Sequence, residues 1–188
     1  MPGPEVAPVD EPDAQVVAAA RRGDLGAFET IVRTYQRDVW RLAFHLVHNE
    51  SLADDITQDA FIRVFRFLSR YRGDSRFSTW LFSIARNCAR DELRRSFRRN
   101  RTADRVTSEI RDPPTDETVR VEVRDALAGL PLELREPVVL IDMLGMSYAE
   151  VSTTLRLPEG TVKSRVHRAR AALADLLLPD REESSDEV

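Results

Sequence analysis

Cysteine and lysine are almost missing: Cys88 and Lys163 are each the single example in 188 residues. One thiol excludes an internal disulfide framework and does not make a metal site on its own. No apolar run approaches the roughly 18 residues that span a bilayer, and the N-terminus lacks the charged-then-apolar pattern of a signal peptide. A cytoplasmic protein with no membrane insertion is therefore expected. Strand-like alternation is absent too, which predicts an all-α fold. His45, His48 and His167 are scattered, and Asp54, Asp55 and Asp59 stand without further ligands. With no convergent acid or histidine cluster, no catalytic residue, metal or cofactor is assigned, and an enzyme such as a nuclease is disfavoured.

The net charge of −4 at first argues against nucleic acid, but its distribution reverses that impression. Glu5, Asp10, Glu11 and Asp13 give the first 13 residues −4, and five acids against Arg181 give residues 180–188 another −4. The chain between them is therefore basic, at +4, and it is the local footprint that bears on DNA binding. Of the 28 basic residues all but Lys163 are arginine, a bias that GC-rich codon usage explains without a chemical reason.

Residues 1–12 carry four prolines and no apolar periodicity, predicting a disordered acidic tail. Residues 13–98 read as helices near 13–22, 25–48, 51–69 and 78–97, the third opened by Ser51-x-x-Asp54, a capping-box variant. A polar loop spans residues 71–78. Residues 99–116, with Pro113-Pro114 and few apolar side chains, suit an exposed linker. A second helical block covers 117–178, and an acidic tail, 179–188, closes the chain. The architecture expected is two small all-α domains on a flexible tether.

In the second block Ser147-Tyr148-Ala149-Glu150 is a capping box opening a short helix through Leu155, with Tyr148, Val151 and Leu155 facing inward. Arg156-Leu157-Pro158-Glu159 makes a turn. In the next helix Val162, Val166, Ala169, Leu173 and Leu176 form an apolar stripe. Thr161 stands at its start, the opposite face presents Lys163, Ser164, His167 and Arg168, and Arg165 and Arg170 flank it. Short helix, tight turn and basic second helix are how a helix-turn-helix enters the major groove. A solvated basic helix in an ordinary bundle is the competing reading.

In the first block, Leu52, Ile56, Ala60, Phe61, Val64, Phe65, Phe67 and Leu68 share one side of the third helix. Asp55, Gln58, Asp59, Ile62 and Arg66 share the other. An acidic stripe with an isoleucine in its middle suits a basic partner helix, although a merely solvated face would look similar. The fourth helix turns Trp80, Leu81, Ile84, Ala85 and Cys88 inward, which makes Cys88 a core residue. Arg86, Arg90 and Arg94 line up with Asn87 beside them. A basic stripe next to a loop with serines and aromatics can track a single strand and pocket an unstacked base.

These motifs closely resemble the extracytoplasmic-function branch of the sigma-70 family. Asp54-Asp55-Ile56-Thr57-Gln58-Asp59-Ala60-Phe61 resembles the family's region 2.2. The resemblance implies that Asp55, Gln58, Asp59 and Ile62 meet the β′ coiled coil of core RNA polymerase. Arg72-Gly73-Asp74-Ser75-Arg76-Phe77-Ser78-Thr79-Trp80-Leu81, continuing through Arg86-Asn87, resembles the segment that captures a flipped base of the −10 element. It implies −10 DNA contacts for Ser75, Arg76, Phe77, Ser78, Thr79, Arg86, Asn87, Arg90 and Arg94. Leu130-Pro131, Arg135, Gly145-x-Ser147-Tyr148-x-Glu150 and residues 160–169 resemble region 4, which reads the −35 element and meets the β flap. There Thr161, Lys163, Ser164, Arg165, His167 and Arg168 are the implied contacts. An alternative sigma factor with promoter DNA, core polymerase and an anti-sigma factor as partners is what the resemblance predicts. A duplex-binding helix-turn-helix regulator is the alternative.

Three departures from the family pattern stand out. Arg156 stands where glycine is frequent, at a cost of about 1 kcal/mol if the backbone is left-handed there. Ser152, Thr153 and Thr154 replace small and acidic residues. Pro137 is expected to delay or bend a region 4 helix.

Overall fold

The computed structural model describes residues 9–100 and 116–177, and every regular element among them is helical. The first domain comprises α1 (Ala14–Arg21), α2 (Leu25–Val47), α3 (Glu50–Phe67), a 3-10 turn (Leu68–Arg70) and α4 (Phe77–Asn100). The second comprises α5 (Asp116–Gly129), α6 (Leu132–Val138), a π turn (Val139–Met143), α7 (Tyr148–Leu155) and α8 (Glu159–Leu177). Two small helical domains are thus present, as the periodicity predicts. Most of the predicted linker, residues 1–8 of the N-terminal tail and the C-terminal tail lie outside the described residues. Residues 9–12 of the predicted disordered tail are described, and they lie on the first domain, where the Tyr35 hydroxyl donates to the Asp10 carbonyl.

Short polar side chains start the helices. Asp13 accepts from the Gln15 amide, Asp24 from Ala27 and Asn49 from Leu52, each relieving an orphan donor. Asn49 corrects the expected Ser51 box: its extended backbone and short amide cap α3 two residues earlier, leaving Ser51 inside the first turn. Helix α2 presents Ile31, Tyr35, Val39, Leu42 and Leu46 at helical spacing, all fully buried against α3 and α4. It ends at His48, whose left-handed backbone (φ 51°) closes the last turn through Phe44.

In the second domain Leu134, Val138, Val139, Leu140, Val151, Val162, Val166 and Ala169 form the core. Pro137 lies within α6, and the ladder shifts to π spacing directly after it, which is the bend expected of a missing N–H. Leu176, assigned to the buried stripe of α8, is instead 54% exposed, because α5 covers only part of that end. Within the described residues the domains are packed together, α7 lying against α4 and α5 and α6 against α2. The Arg135 guanidinium, which also donates to the Leu130 carbonyl of its own domain, reaches across to the Leu46 carbonyl at the end of α2.

Candidate polymerase and nucleic-acid interfaces

On α3 the predicted stripe faces solvent. The Trp40 indole donates to Asp54 (2.8 Å), tying that carboxylate to α2, whereas Asp55 and Gln58 are exposed and Ile62 is 49% exposed. Asp59 is half-buried and pairs with Arg63 (2.8 Å), which also reaches Asp91 on α4. An uncovered isoleucine between a carboxylate and an amide is the composition of a docking patch with a polar rim. Phe65 and Phe67, assigned inward, are exposed at 46% and 42%. The apolar arc of α3 is wider than the surface α2 and α4 cover, and Phe65 meets the Phe28 ring of α2 edge-on.

The helix-turn-helix forms as its motif predicts. Ser147 and Glu150 complete the reciprocal capping box of α7, and Arg156 adopts the left-handed conformation (φ 56°) that lets the chain turn into α8. Lys163, Ser164, His167 and Arg168 are exposed in one row and Thr161 is half-buried at the helix start. Lys163 pairs with Glu159 (2.8 Å), and its ammonium lies 5.7 Å from the Tyr148 ring. Two arginines turn away from the row: Arg165 toward Glu133 of α6 (3.6 Å), and Arg170 into a two-pronged pair with Asp142.

The third surface is arranged differently. Of the implied −10 contacts, Arg76, Asn87 and Arg94 are exposed and Ser75 and Arg90 half-buried, but Phe77, Ser78, Thr79 and Arg86 are buried. Phe77 is a core residue, ringed by Tyr35, Tyr71 and Trp80 at 5.4–6.0 Å. Ser78, Thr79 and Arg86 are covered by carboxylates from elsewhere in the chain. Glu11 accepts from the Phe77 and Ser78 amides (2.9 and 3.1 Å) and from the Ser78 hydroxyl, so it caps α4 across 66 residues of sequence. Glu150 accepts from Thr79 (3.1 Å) and Arg76 (3.3 Å). Glu136, 3% exposed, takes both prongs of Arg86 (3.0 and 2.9 Å) and lies 3.5 Å from Arg90. Burial pushes the Glu150 carboxyl up, but the Ser147 amide and hydroxyl, Thr79 and Arg76 outweigh it and hold the group below the usual carboxylate range.

Comparison with known proteins decides what these surfaces belong to. Residues 31–99 match the model of Sigma-70 region 2, and residues 120–173 that of Sigma-70 region 4. The RNA polymerase sigma-H factor of Pseudomonas aeruginosa is 36% identical over 90% of this chain and 95% of its own. The ECF RNA polymerase sigma factor SigM of Mycobacterium tuberculosis is 40% identical over 88% and 84%. The chain is an extracytoplasmic-function sigma factor of the sigma-70 family. Two solved structures share its fold. The sigma factor RpoE of Bartonella quintana, in complex with the anti-sigma factor NepR, has a TM-score of 0.72 and 27% identity, covering 82% of this chain and 98% of its own. CnrH in complex with the cytosolic domain of CnrY has a TM-score of 0.70 and 30% identity, covering 89% and 98%.

A sigma factor directs RNA polymerase to promoter DNA and performs no phosphodiester chemistry, so this protein is an initiation factor and not an enzyme. No described helix is long and apolar enough to cross a membrane. Cys88 is buried, and burial lifts its thiol to about 12, consistent with a core role rather than a reactive one. The sequence reasoning missed Glu11, Glu136 and Glu150 as partners of α4 and the loop before it. Glu150 was visible only as a capping residue, and no local pattern marks the other two.

Proposed function

We propose that each of the three surfaces performs one step of initiation. The first domain docks on the β′ coiled coil of core polymerase through Asp55, Gln58, Asp59 and Ile62. The second domain places α8 in the −35 major groove, where Lys163, Ser164, His167 and Arg168 reach base edges. Thr161 and Arg165 contact the backbone beside them. Ser75, Arg76, Ser78 and Thr79 with Asn87 stabilise an everted −10 base over the buried Phe77, and Arg86, Arg90 and Arg94 hold the strand. Strand opening is driven by this binding energy. The observation that carries the reading is the exposed row on α8 behind a fully formed capping box and a left-handed turn. An anti-sigma factor is a further partner, a reading supported by the likeness to the sigma factor RpoE in complex with the anti-sigma factor NepR.

The test is in vitro transcription from a genomic promoter library with core polymerase, with and without this protein. New start sites sharing −35 and −10 motifs are expected. Retardation of duplex promoter DNA by the protein alone, with no association with core, would instead place it among ordinary duplex-binding regulators.

A further inference from the structure

Helix α4 offers a row of anion donors, and each is already engaged by a carboxylate. At its N-terminus the Phe77 and Ser78 amides, the Ser78 hydroxyl and the Arg76 guanidinium converge on Glu11. Next along, Thr79 and Arg76 meet Glu150. About two turns further, some 10–12 Å at 1.5 Å per residue, Arg86 and Arg90 meet Glu136. The three carboxylates come from three separate places: the N-terminal segment, the start of α7 and the middle of α6. Backbone amides at a helix start together with arginines bind carboxylate and phosphate oxygens alike.

Glu136 is the informative member. Among the described residues its ion pairs all run to α4, and it is sealed at 3% exposure between the two domains. Within its own domain an almost fully buried glutamate without such partners would be costly. It makes sense only as part of the interdomain contact. Glu150 divides its oxygens: Oε2 completes the capping box with Ser147, and Oε1 is turned outward to Thr79 and Arg76. Arg76 in turn donates to the Val9 carbonyl, which fixes the N-terminal segment beside Glu11.

We propose that this chain carries its own strand mimic: Glu11, Glu150 and Glu136 form a carboxylate clasp that occupies the phosphate-binding row of α4 and holds the free protein closed. The proposal rests on the strand-binding role assigned to α4. Promoter strand and clasp compete for the same donors, so the open form alone grips the strand. The faces of α3 and α8 stay exposed in the closed form. The clasp therefore masks strand binding selectively.

The test uses the full-length protein without polymerase and a labelled pool of random-sequence 15-nucleotide single strands at low salt. Glu11→Gln, Glu136→Gln and Glu150→Gln together keep side-chain shape and remove three charges, and glutamine still serves in a capping box. The triple variant should bind the strands at least tenfold more tightly than wild type and show a larger radius of gyration by small-angle scattering. If the triple variant does not fold, Glu150→Gln alone should move both readouts the same way by a smaller amount. Unchanged affinity, or expansion without tighter binding, overturns the clasp. Arg94→Ala in the triple background separates the two ideas. It weakens strand binding if α4 is the strand's surface, and leaves it unchanged if that assignment is wrong.

Discussion

Two histidines should make this protein lose stability on mild acidification. Burial, then the Arg41 charge, lowers His45 to about 4. Burial lowers His48 to about 4 as well, reinforced by Arg135 of α6, His45 and Arg124 of α5 and opposed only by Asp125. Neither His48 ring nitrogen, nor His45 Nδ1, has a hydrogen-bond partner among the described residues. The folded protein therefore rejects a proton that the unfolded chain accepts near 6.5. Stability is fully present above about 6.5, falls as pH drops toward 4, and levels off below that, where both states are protonated. The full gap is worth about 3 kcal/mol per ring, and partial solvent contact cuts this to about 1–2 kcal/mol each. The loss over the window is then about 2–4 kcal/mol, a large share of an ordinary domain's stability. Glu150 does not confuse the window, because its stabilising charge is lost only below the usual carboxylate range.

The assay is urea denaturation at several pH values between 7.5 and 4.5, followed by tryptophan fluorescence. Both tryptophans, Trp40 and Trp80, lie in the first domain, and Trp40 stacks on Phe44, which meets both histidine rings. The midpoint should fall steadily between pH 6.5 and 4.5. His45→Gln with His48→Asn, the asparagine chosen because it tolerates the left-handed backbone at position 48, should flatten that dependence. An equally steep fall in the double variant, or His45 and His48 proton resonances titrating above pH 6, would refute the assignment.

Three further outcomes test the surfaces. Asp55→Arg with Gln58→Ala should abolish capture by core polymerase while leaving the circular dichroism of the chain unchanged, and an unaltered pull-down would contradict the docking assignment. Asn87→Ala should reduce open-complex formation, read by permanganate footprinting, at least tenfold more than closed-complex recruitment, whereas equal losses would argue against the base pocket. Arg156→Gly should stabilise the second domain by about 0.5–1 kcal/mol, since glycine relieves the left-handed strain but adds freedom to the unfolded chain. A fall in the melting temperature would show that the Arg156 side chain does more than fill the turn.

What the sequence disclosed was whatever a single helix or turn contains. The capping box of α7, the inward stripe of α2 and the row on α8 each depend on residues within a few turns of one another, so periodicity and spacing expose them. The cap of α3 was misplaced because Asn49 and Ser51 are both good caps two residues apart, and backbone geometry chooses between them. Phe65, Phe67 and Leu176 were misassigned because a helical wheel reports which side is apolar, not how much of it a neighbour covers. Phe77 lay in a motif associated with DNA, yet four aromatic rings including its own fill that corner of the core. The carboxylate partners of α4 were invisible for a sharper reason. Arg86 and Glu136 are 50 residues apart, and Thr79 and Glu150 are 71 apart, on elements whose own patterns are complete without them.

A buried ion pair is a suitable latch because it is selective without being strong. Desolvating Arg86 and Glu136 offsets most of their attraction, so the pair fixes which surfaces meet while adding little net stability to the closed form. An equilibrium so balanced responds to any ligand that discriminates between its states, by no more than the difference in affinity. Docking of α3 alone does not discriminate, since its stripe is exposed in the closed form, and neither does engagement of α8 alone. Discrimination arises if both are held at once at sites farther apart than the closed chain reaches. The second contact then becomes intramolecular, and its effective concentration is available to pull α6 and α7 off α4. On this account neither polymerase nor duplex DNA by itself should release the strand-binding face, and both together should.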